Sequence, residues 1–482
     1  MTFSRLNPLS ILYRLIHLIK NYMIGAVFLF VFKAQSESTF ILIFKVIFLL
    51  IVTVQILSIF INWWTFRYNI SNSMVHIHEG VFVKKQRHIE IKRIQNVQQQ
   101  TTFLHRIFKS TALTLETGTS KDDSSVTFPF IKTIDALIIE DQVLQSKNSK
   151  EDVEETTVDK YITLSNKTIH FTPTKKELIK AAFTSFRFLA FIPLLSSLYF
   201  GINDWINIES EAESIFNYFL THLWLLIPIS LVAIVLSIIT ALITTYLKYG
   251  RFEIAADEER IYIKKGVLSE SSFSITKDKV QAIQFQQSIL KRMFGLVEVK
   301  LVSAGGVGEE KLESNSLFPY LSVNEATQLV EKLLPKFHIP QKENRLPPKA
   351  LFVRYIRPPY IWFIISLGIF IFKREWLFLS LILFIIIYIA RYMDYRNTRY
   401  EVEHDFIKIR TGALTLSSFV TRRVKIQEIE VTNSMLQRKM NVASIQFSNR
   451  AKPTEISVLK DIPKEFASTF ANWYKKRTRE VQ

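Results

Sequence analysis

The sequence predicts an α+β membrane protein: three transmembrane helical hairpins, each followed by a soluble antiparallel β-barrel unit that closes on a C-terminal helix. Three observations predict it. Apolar runs long enough to cross a bilayer alternate with polar stretches rich in Lys and Arg. The runs come in pairs separated by short loops. The polar stretches repeat one another residue by residue.

The first hairpin is the clearest. Residues 40–64 form an apolar run with one charge, Lys45, and end in Trp63 and Trp64, which suit a membrane interface. A shorter run, 15–32, precedes it across a tight loop at 33–39. The second hairpin is read from runs at 183–202 and 219–247. The third is read from 358–372 and 376–390, whose short length requires extension into the flanks for a full crossing. The predicted layout is therefore hairpin 1–64, unit 65–145, linker and interfacial helix 146–182, hairpin 183–247, unit 248–340, linker 341–357, hairpin 358–390 and unit 391–482.

Charge orients this layout. The chain carries 61 Lys and Arg against 43 Asp and Glu, a net of +18. The hairpin loop at 201–218 holds Asp204, Glu209, Glu211 and Glu213 and neither Lys nor Arg. The positive-inside bias then predicts both termini and all three units on the cytoplasmic side of a cell membrane. Lys45 and Arg187 stand close enough to the ends of their runs to snorkel. With no carboxylate inside any run, a proton-coupled transporter is disfavoured. The absence of Cys excludes disulfides, thiolate metal sites and Cys nucleophiles.

The repeats align on Gly80, Gly266 and Gly412. Val75, Ile261 and Ile407 stand five residues before each Gly, and Ile77, Ile263 and Ile409 stand three before. Ile94-Gln95, Val280-Gln281 and Ile426-Gln427 begin fourteen residues after; Arg106, Arg292 and Arg438 stand twenty-six after. Alternating apolar residues lead into each Gly, which reads as a half-buried strand ending in a turn that needs φ > 0. Further strands are expected through Leu113–Leu115, Val299–Leu301 and Ile445–Phe447. Amphipathic closing helices are expected over 134–143, 324–334 and 463–474. Thr174 and Glu177 have the spacing of a capping box.

These residues resemble the bacterial PH-like domain family, type two, with its Gly turn, "I-Q-x-V/I" strand and "L-x-R-x-F-G-L" segment. The second unit is the nearest match: Gly266, Val280 to Ile283, Leu290 to Leu296, and Val299 to Gly306. The first has Lys109 where the motif has Gly, and the third has Lys439-Met440-Asn441. The alternation of hairpin and unit resembles the YdbT-like multi-pass membrane proteins. Seven or so antiparallel strands capped by one C-terminal helix read as a PH-like barrel, and the family it resembles carries no established activity. The resemblance implies a smaller membrane companion with a single PH-like unit, and a role in envelope stress or antimicrobial tolerance.

No catalytic, cofactor or metal site is expected. His76 and His78 share a strand face with no third ligand nearby. Ala304 to Gly308 lacks the Lys-Ser/Thr continuation of a phosphate loop and reads as a hairpin turn. Asp257-Glu258-Glu259 reads as a β-turn. Arg106, Arg292 and Arg438 are the candidate contacts, either fixing the turn after the preceding Leu or meeting a lipid phosphate or acidic peptide. Lys475, Lys476 and Arg477 close a third unit of net charge +8 and are expected to meet an anionic lipid surface. Nucleic acid is not expected, because no recognition helix or aromatic platform is present. The expected function is a non-enzymatic multi-pass scaffold that presents three cytoplasmic units for protein partners or for self-association into a homo-oligomer, with membrane lipids and the smaller companion as expected partners. The rivals are a transporter or export component with regulatory units, and an anionic-lipid sensor.

Overall fold

The computed structural model describes residues 3–34, 38–71, 74–80, 84–117, 125–148, 167–184, 226–303, 316–372, 374–451 and 454–479. The run expected over 183–202 from residue 185 onward, the acidic loop at 201–218 and the Gly-rich turn at 304–308 lie outside the described residues. Four helical segments among the described residues are long and apolar enough to cross a membrane: Leu9–Val31, Thr39–Thr65, Pro348–Phe372 and Arg374–Asn397.

The chain opens with β1 (Ser4–Arg5), then α1 (Leu9–Val27) and α2 (Thr39–Thr65). Gly25 lets α1 approach α2 closely, since a Cβ there would stand 3.1 Å from the Phe48 ring. The first unit comprises β2 (Arg67–Ile70), β3 (Met74–Glu79), β4 (Lys85–Glu90), β5 (Ile94–Thr101), α3 (Phe103–Ile107), β6 (Ser110–Thr117), β7 (Ser125–Lys132) and α4 (Thr133–Asn148). There follow β8 (Thr168–Phe171), α5 (Lys175–Phe183) and α6 (Leu226–Tyr249). The Thr174–Glu177 capping box opens α5 as expected. The second unit holds β9 (Glu253–Ala256), β10 (Arg260–Lys265), β11 (Glu270–Thr276), β12 (Val280–Gln287), α7 (Ile289–Met293), β13 (Leu296–Ser303), β14 (Leu321–Ser322) and α8 (Val323–Leu333).

The linker at 341–357 supplies β15 (Asn344–Arg345) and α9 (Pro348–Ile356), ahead of α10 (Tyr360–Phe372) and α11 (Leu377–Asn397). At 1.5 Å per residue, α10 is about 20 Å long and α11 about 31 Å, so the two arms of this hairpin are unequal. Trp362 Nε1 donates to the Ser380 carbonyl at 2.9 Å, and the Ser366 and Ser380 hydroxyls bond at 2.6 Å. These are interhelical polar contacts of the kind that hold membrane helices together. The third unit has β16 (Arg399–Glu403), β17 (Phe406–Thr411), β18 (Leu416–Arg422), β19 (Ile426–Thr432), α12 (Met435–Lys439), β20 (Val442–Asn449), β21 (Glu455–Pro463) and α13 (Lys464–Lys475).

The expected closed barrels are corrected to open sheets. Each unit splits into an N-terminal and a C-terminal set of strands, and strands pair between units. The described strands form four sheets: β1-β2-β3-β4, β7-β6-β5-β11-β10-β9-β8, β14-β13-β12-β18-β17-β16-β15 and β19-β20-β21. The C-terminal sheet of one unit thus continues into the N-terminal sheet of the next. A barrel would satisfy the edge amides of β5 and β12 within one unit; here β11 and β18 of the following unit satisfy them. Strands β1, β8 and β15 pair with β2, β9 and β16, so the α1–α2 pair, the segment between Phe171 and Glu253 that ends in α6, and the α10–α11 pair are each inserted between two neighbouring strands of one sheet.

Three apolar cores correspond to the three units. The first gathers Val75, Ile77, Ile94, Leu113 and Phe128; the second Ile261, Ile263, Val280, Val299 and Val330; the third Ile407, Ile409, Ile426, Ile445 and Phe470. The second core also takes in Phe406 and Val420 of the third unit, so the seam between them is part of the core. The closing helices α4, α8 and α13 cap these cores where the amphipathic pattern put them.

Candidate membrane-facing rim

Each unit presents two features at the foot of its hairpin: the Gly turn and the one-turn helix. Gly80, Gly266 and Gly412 have φ of 101°, 99° and 122°, as their turns require. A Cβ on Gly266 or Gly412 would lie 1.9 Å from the carbonyl oxygen of Ser269 or Thr415. The turns are fastened to the helix ends. Val267 N–H donates to the Leu247 carbonyl at 2.9 Å. Gly412 N–H donates to Asp394 Oδ1, and Asn397 Nδ2 donates to the Gly412 carbonyl, both at 3.0 Å. The next residues expose Leu268 and Leu414 at equivalent positions.

The one-turn helices α3, α7 and α12 carry Arg106, Arg292 and Arg438. Their N-caps are Thr102, Ser288 and Ser434, which occupy one aligned position. Capping satisfies amides that so short a helix cannot satisfy itself and contributes about 1 kcal/mol each. The turn after Leu is therefore held by caps, and the three Arg side chains extend outward. Arg292 and Arg438 are exposed. Arg106 Nη2 pairs with Glu270 at 3.3 Å, across the seam to the second unit. Each helix ends in a left-handed residue, Lys109, Gly295 or Asn441 (φ 48°, 65° and 56°). The missing motif glycines thus leave the backbone geometry unchanged.

Contacts with the hairpins place these helices. His105 of α3 lies with its ring centroid 4.6 Å from that of Tyr13 on α1. Its Nε2 donates to the Pro129 carbonyl at 2.9 Å, while Nδ1 accepts from Thr102. Burial lowers its pKa, partly offset by the Pro129 bond, and His17 lowers it further, so the ring is held neutral. In the second unit Lys291 pairs with Glu298 at 2.8 Å beside an open cleft of about 200 Å³ that Lys248, Tyr249 and Lys265 also line. Burial would raise the Glu298 carboxyl, but Lys291 and Lys300 outweigh it and hold it below its ordinary value. In the third unit Gln437 Nε2 donates to Asp461 Oδ1 at 2.7 Å. Asp461 is fully buried and accepts from Arg354 Nε of α9 at 3.2 Å and from Arg357; Arg354 also pairs with Asp394 of α11 at 2.7 Å. This ionic node joins the third hairpin to its unit.

The rim therefore combines exposed apolar side chains with cations: Phe103 and Ile107 beside Arg106, Met293 beside Arg292, Met435 beside Arg438. That combination suits the bilayer interface, where an apolar side chain enters the acyl boundary and a cation meets phosphate. Lys475, Lys476 and Arg477 are elsewhere. Trp473 at the end of α13 donates to the carbonyl of His404, in the turn where β16 has run away from α11, so these residues sit at the end of the unit remote from the hairpin. Arg477 reaches the Ile426 carbonyl and the Tyr474 hydroxyl.

Other candidates resolve simply. His76 Nδ1 lies 2.6 Å from Nδ1 of His88 on the adjacent strand, and the His78 ring packs tilted against Phe3 with centroids 4.4 Å apart. No group of three or more metal-ligating side chains occurs among the described residues. Asp257 Oδ1 accepts from the amides of Glu259 and Arg260, so the acidic triplet, expected as a β-turn, is a turn held by the Asp257 side chain. Sequence reasoning missed the N-caps and the Arg354–Asp461 node. The caps were findable, since Thr102, Ser288 and Ser434 align; the node joins the linker helix α9 to the third unit across 107 positions and carries no repeat signal.

Comparison with known proteins agrees with this geometry. The family described as "Bacterial PH domain" matches residues 23–147, 210–336 and 361–478. The chain is 25% identical over 492 residues to the UPF0699 transmembrane protein YdbT of Bacillus subtilis (strain 168), covering 98% of each chain. No solved structure matches significantly. The first match begins within α1, the second takes in α6 and the third takes in α10 and α11; each runs on through the strands to the closing helix, and on those three matches the chain belongs to the bacterial PH domain family.

Proposed function

We propose that this protein is a non-enzymatic membrane scaffold presenting three PH-like units to protein partners at the cytoplasmic face. The observation that supports it is the strand pairing between units. Two continuous seven-stranded sheets tie the units into one array at the feet of the hairpins. Such an array has fixed spacing, which suits a platform better than independently tethered modules. The Lys and Arg excess of the units supports the cytoplasmic side. A smaller membrane protein with a single PH-like unit is one partner that fits, and envelope stress or antimicrobial tolerance is the setting proposed. Chemical cross-linking of the tagged full chain in native membranes, followed by mass spectrometry, tests the reading. Proteins linked reproducibly through unit lysines are expected. Recovery of no other protein and no second copy, alongside measured solute transport by the purified chain, would overturn it in favour of a transporter.

A specific observation favours lipid contact as a second role. The rim repeats an apolar side chain beside an Arg in each unit. This supports insertion at the interface with head-group phosphates on Arg292 and Arg438. Replacing both with Glu is expected to raise the accessibility of the rim to a water-soluble probe in anionic vesicles; an unchanged accessibility would count against this role.

A further inference from the structure

The two internal seams follow one rule, and the chain has one strand edge of each kind left over. At the first seam Gln98 faces Phe273 and Gln99 faces Ser272. At the second, Gln284 faces Phe419 and Phe285 faces Ser418. Aligned on Gly80, Gly266 and Gly412, these are the same pairs of positions, so the register is identical. The strand that donates an edge forward is β5 in the first unit and β12 in the second; its counterpart in the third is β19. The strand that receives is β11 or β18; its counterpart in the first unit is β4. Among the described strands, β19 pairs only with β20, and β4 only with β3.

We propose that β4 and β19 pair with each other between copies of this chain, head to tail, in the register of the two internal seams. The occupant of each edge is a second copy of the same protein, because the chain carries both complementary edges. Carrying the register over sets Glu430 opposite Arg87, Val431 opposite Gln86 and Thr432 opposite Lys85. The charges complement one another: β19 has Glu428 and Glu430, while β4 has Lys85 and Arg87, and its one carboxylate, Glu90, is paired with Arg93. Arg87 already pairs with Glu79 at 2.7 Å, so Glu430 would extend an existing ion pair.

Burial points the same way. Glu428 is exposed, whereas Asn96 and Ala282 at the equivalent positions are fully buried under the next unit. Val431 is 45% exposed. The carbonyls of Ile426 and Gln427 are taken by Arg477 and Tyr474, but the counterparts of these two residues, Val280 and Gln281, lie outside the seam ladder as well. The stretch from Glu428 to Thr432 is therefore the part an incoming strand would use. A head-to-tail contact of this kind is heterologous and generates a ring if its rotation closes and an extended array if it does not.

This deepens the scaffold reading and rests on it. The test uses the full chain, which has no Cys of its own. Two differently tagged copies are co-expressed in membranes, one carrying Gln86→Cys and the other Val431→Cys. Residues directly opposite on paired strands bring their side chains within disulfide reach. Mild oxidation is expected to yield a disulfide-linked pair carrying both tags. Replacing Val431→Cys with Glu430→Cys, on the opposite face of the strand, is expected to lower the yield several-fold. Adding Glu430→Lys to the Val431→Cys copy, which sets a like charge against Arg87, is expected to lower it as well. Failure of the Gln86–Val431 pair to link overturns the proposal. So does a homodimer formed by Val431→Cys alone, which would mean two identical edges meet. Linkage of either Cys to a different protein also overturns it and leaves the scaffold reading standing.

Discussion

Single residues set the geometry of the rim, and three of them lend themselves to measurement. Gly266→Val forces a β-branched residue to φ 99° and drives its Cβ into the Ser269 carbonyl. A destabilisation of about 1–3 kcal/mol is expected. Because β11 is shared with β5 of the preceding unit, the measurement belongs on the full solubilised chain, as faster hydrogen exchange across residues 260–276. Lys109→Gly should act in the opposite direction. Lys109 holds a left-handed conformation that Gly295 adopts without strain, so relief of about 1 kcal/mol is expected, read as slower exchange in α3 and β6. His105 supplies a pH dependence. Its folded pKa is depressed, so the unfolded chain takes up the proton first. The stability that the neutral ring contributes is complete above the ordinary pKa of about 6.5 and is lost as pH falls through the lower folded value. Protection of the α3 amides, corrected for the intrinsic exchange rate at each pH, should fall as pH drops below the ordinary histidine range, and His105→Gln, matching Gln437 of the third unit, should remove that fall.

At the scale of elements, the weld between hairpin and unit differs from one repeat to the next. The first uses an aromatic contact between Tyr13 and His105, while the third uses the buried Asp461 with Arg354 and Arg357. Removing one partner of a buried ion pair leaves the other charge without full compensation, at a cost of about 3–5 kcal/mol. Asp461→Ala is therefore expected to lower the thermal stability of the third unit by that order. It should also loosen α9 from β21, seen as new protease cleavage between 345 and 360. Unchanged stability and cleavage would show that Asp394 alone satisfies Arg354.

The whole molecule combines a repeated unit with a continuous architecture. Domain boundaries drawn along the chain separate the apolar segments from the units, yet β1, β8 and β15 cross those boundaries to pair with strands beyond those segments. A unit cut out after its hairpin would lack one strand, and its seam edges would lie open. Topology is the property to test at this scale. Reporter fusions after Gly80, Gly266 and Gly412 are expected to report the cytoplasmic side, and one at Glu211 the opposite side. Any two units reporting opposite sides would refute three inserted hairpins.

The sequence by itself determined the repeat, its glycine turns, its closing helices and the four membrane-length apolar helices among the described residues. Each of these is written in local order: alternation, a positive-φ turn residue, an amphipathic stripe, a long apolar run. It also located Arg106, Arg292 and Arg438 at one repeated position. Only the tertiary structure decided what the edges of the sheets do. Strand pattern specifies which face of β5 or β12 is buried, but the backbone groups along an edge are the same whether they meet their own unit or the next. A barrel and a run of linked open sheets therefore read alike in sequence. The same holds for Arg354 and Asp461, an ion pair made by residues 107 positions apart. The basic end at Lys475–Arg477 looked membrane-facing because charge is legible along the chain. Its placement at the far end of the unit depends on the direction in which α13 crosses the sheet, which is set by packing of Phe470 and Trp473 in the third core.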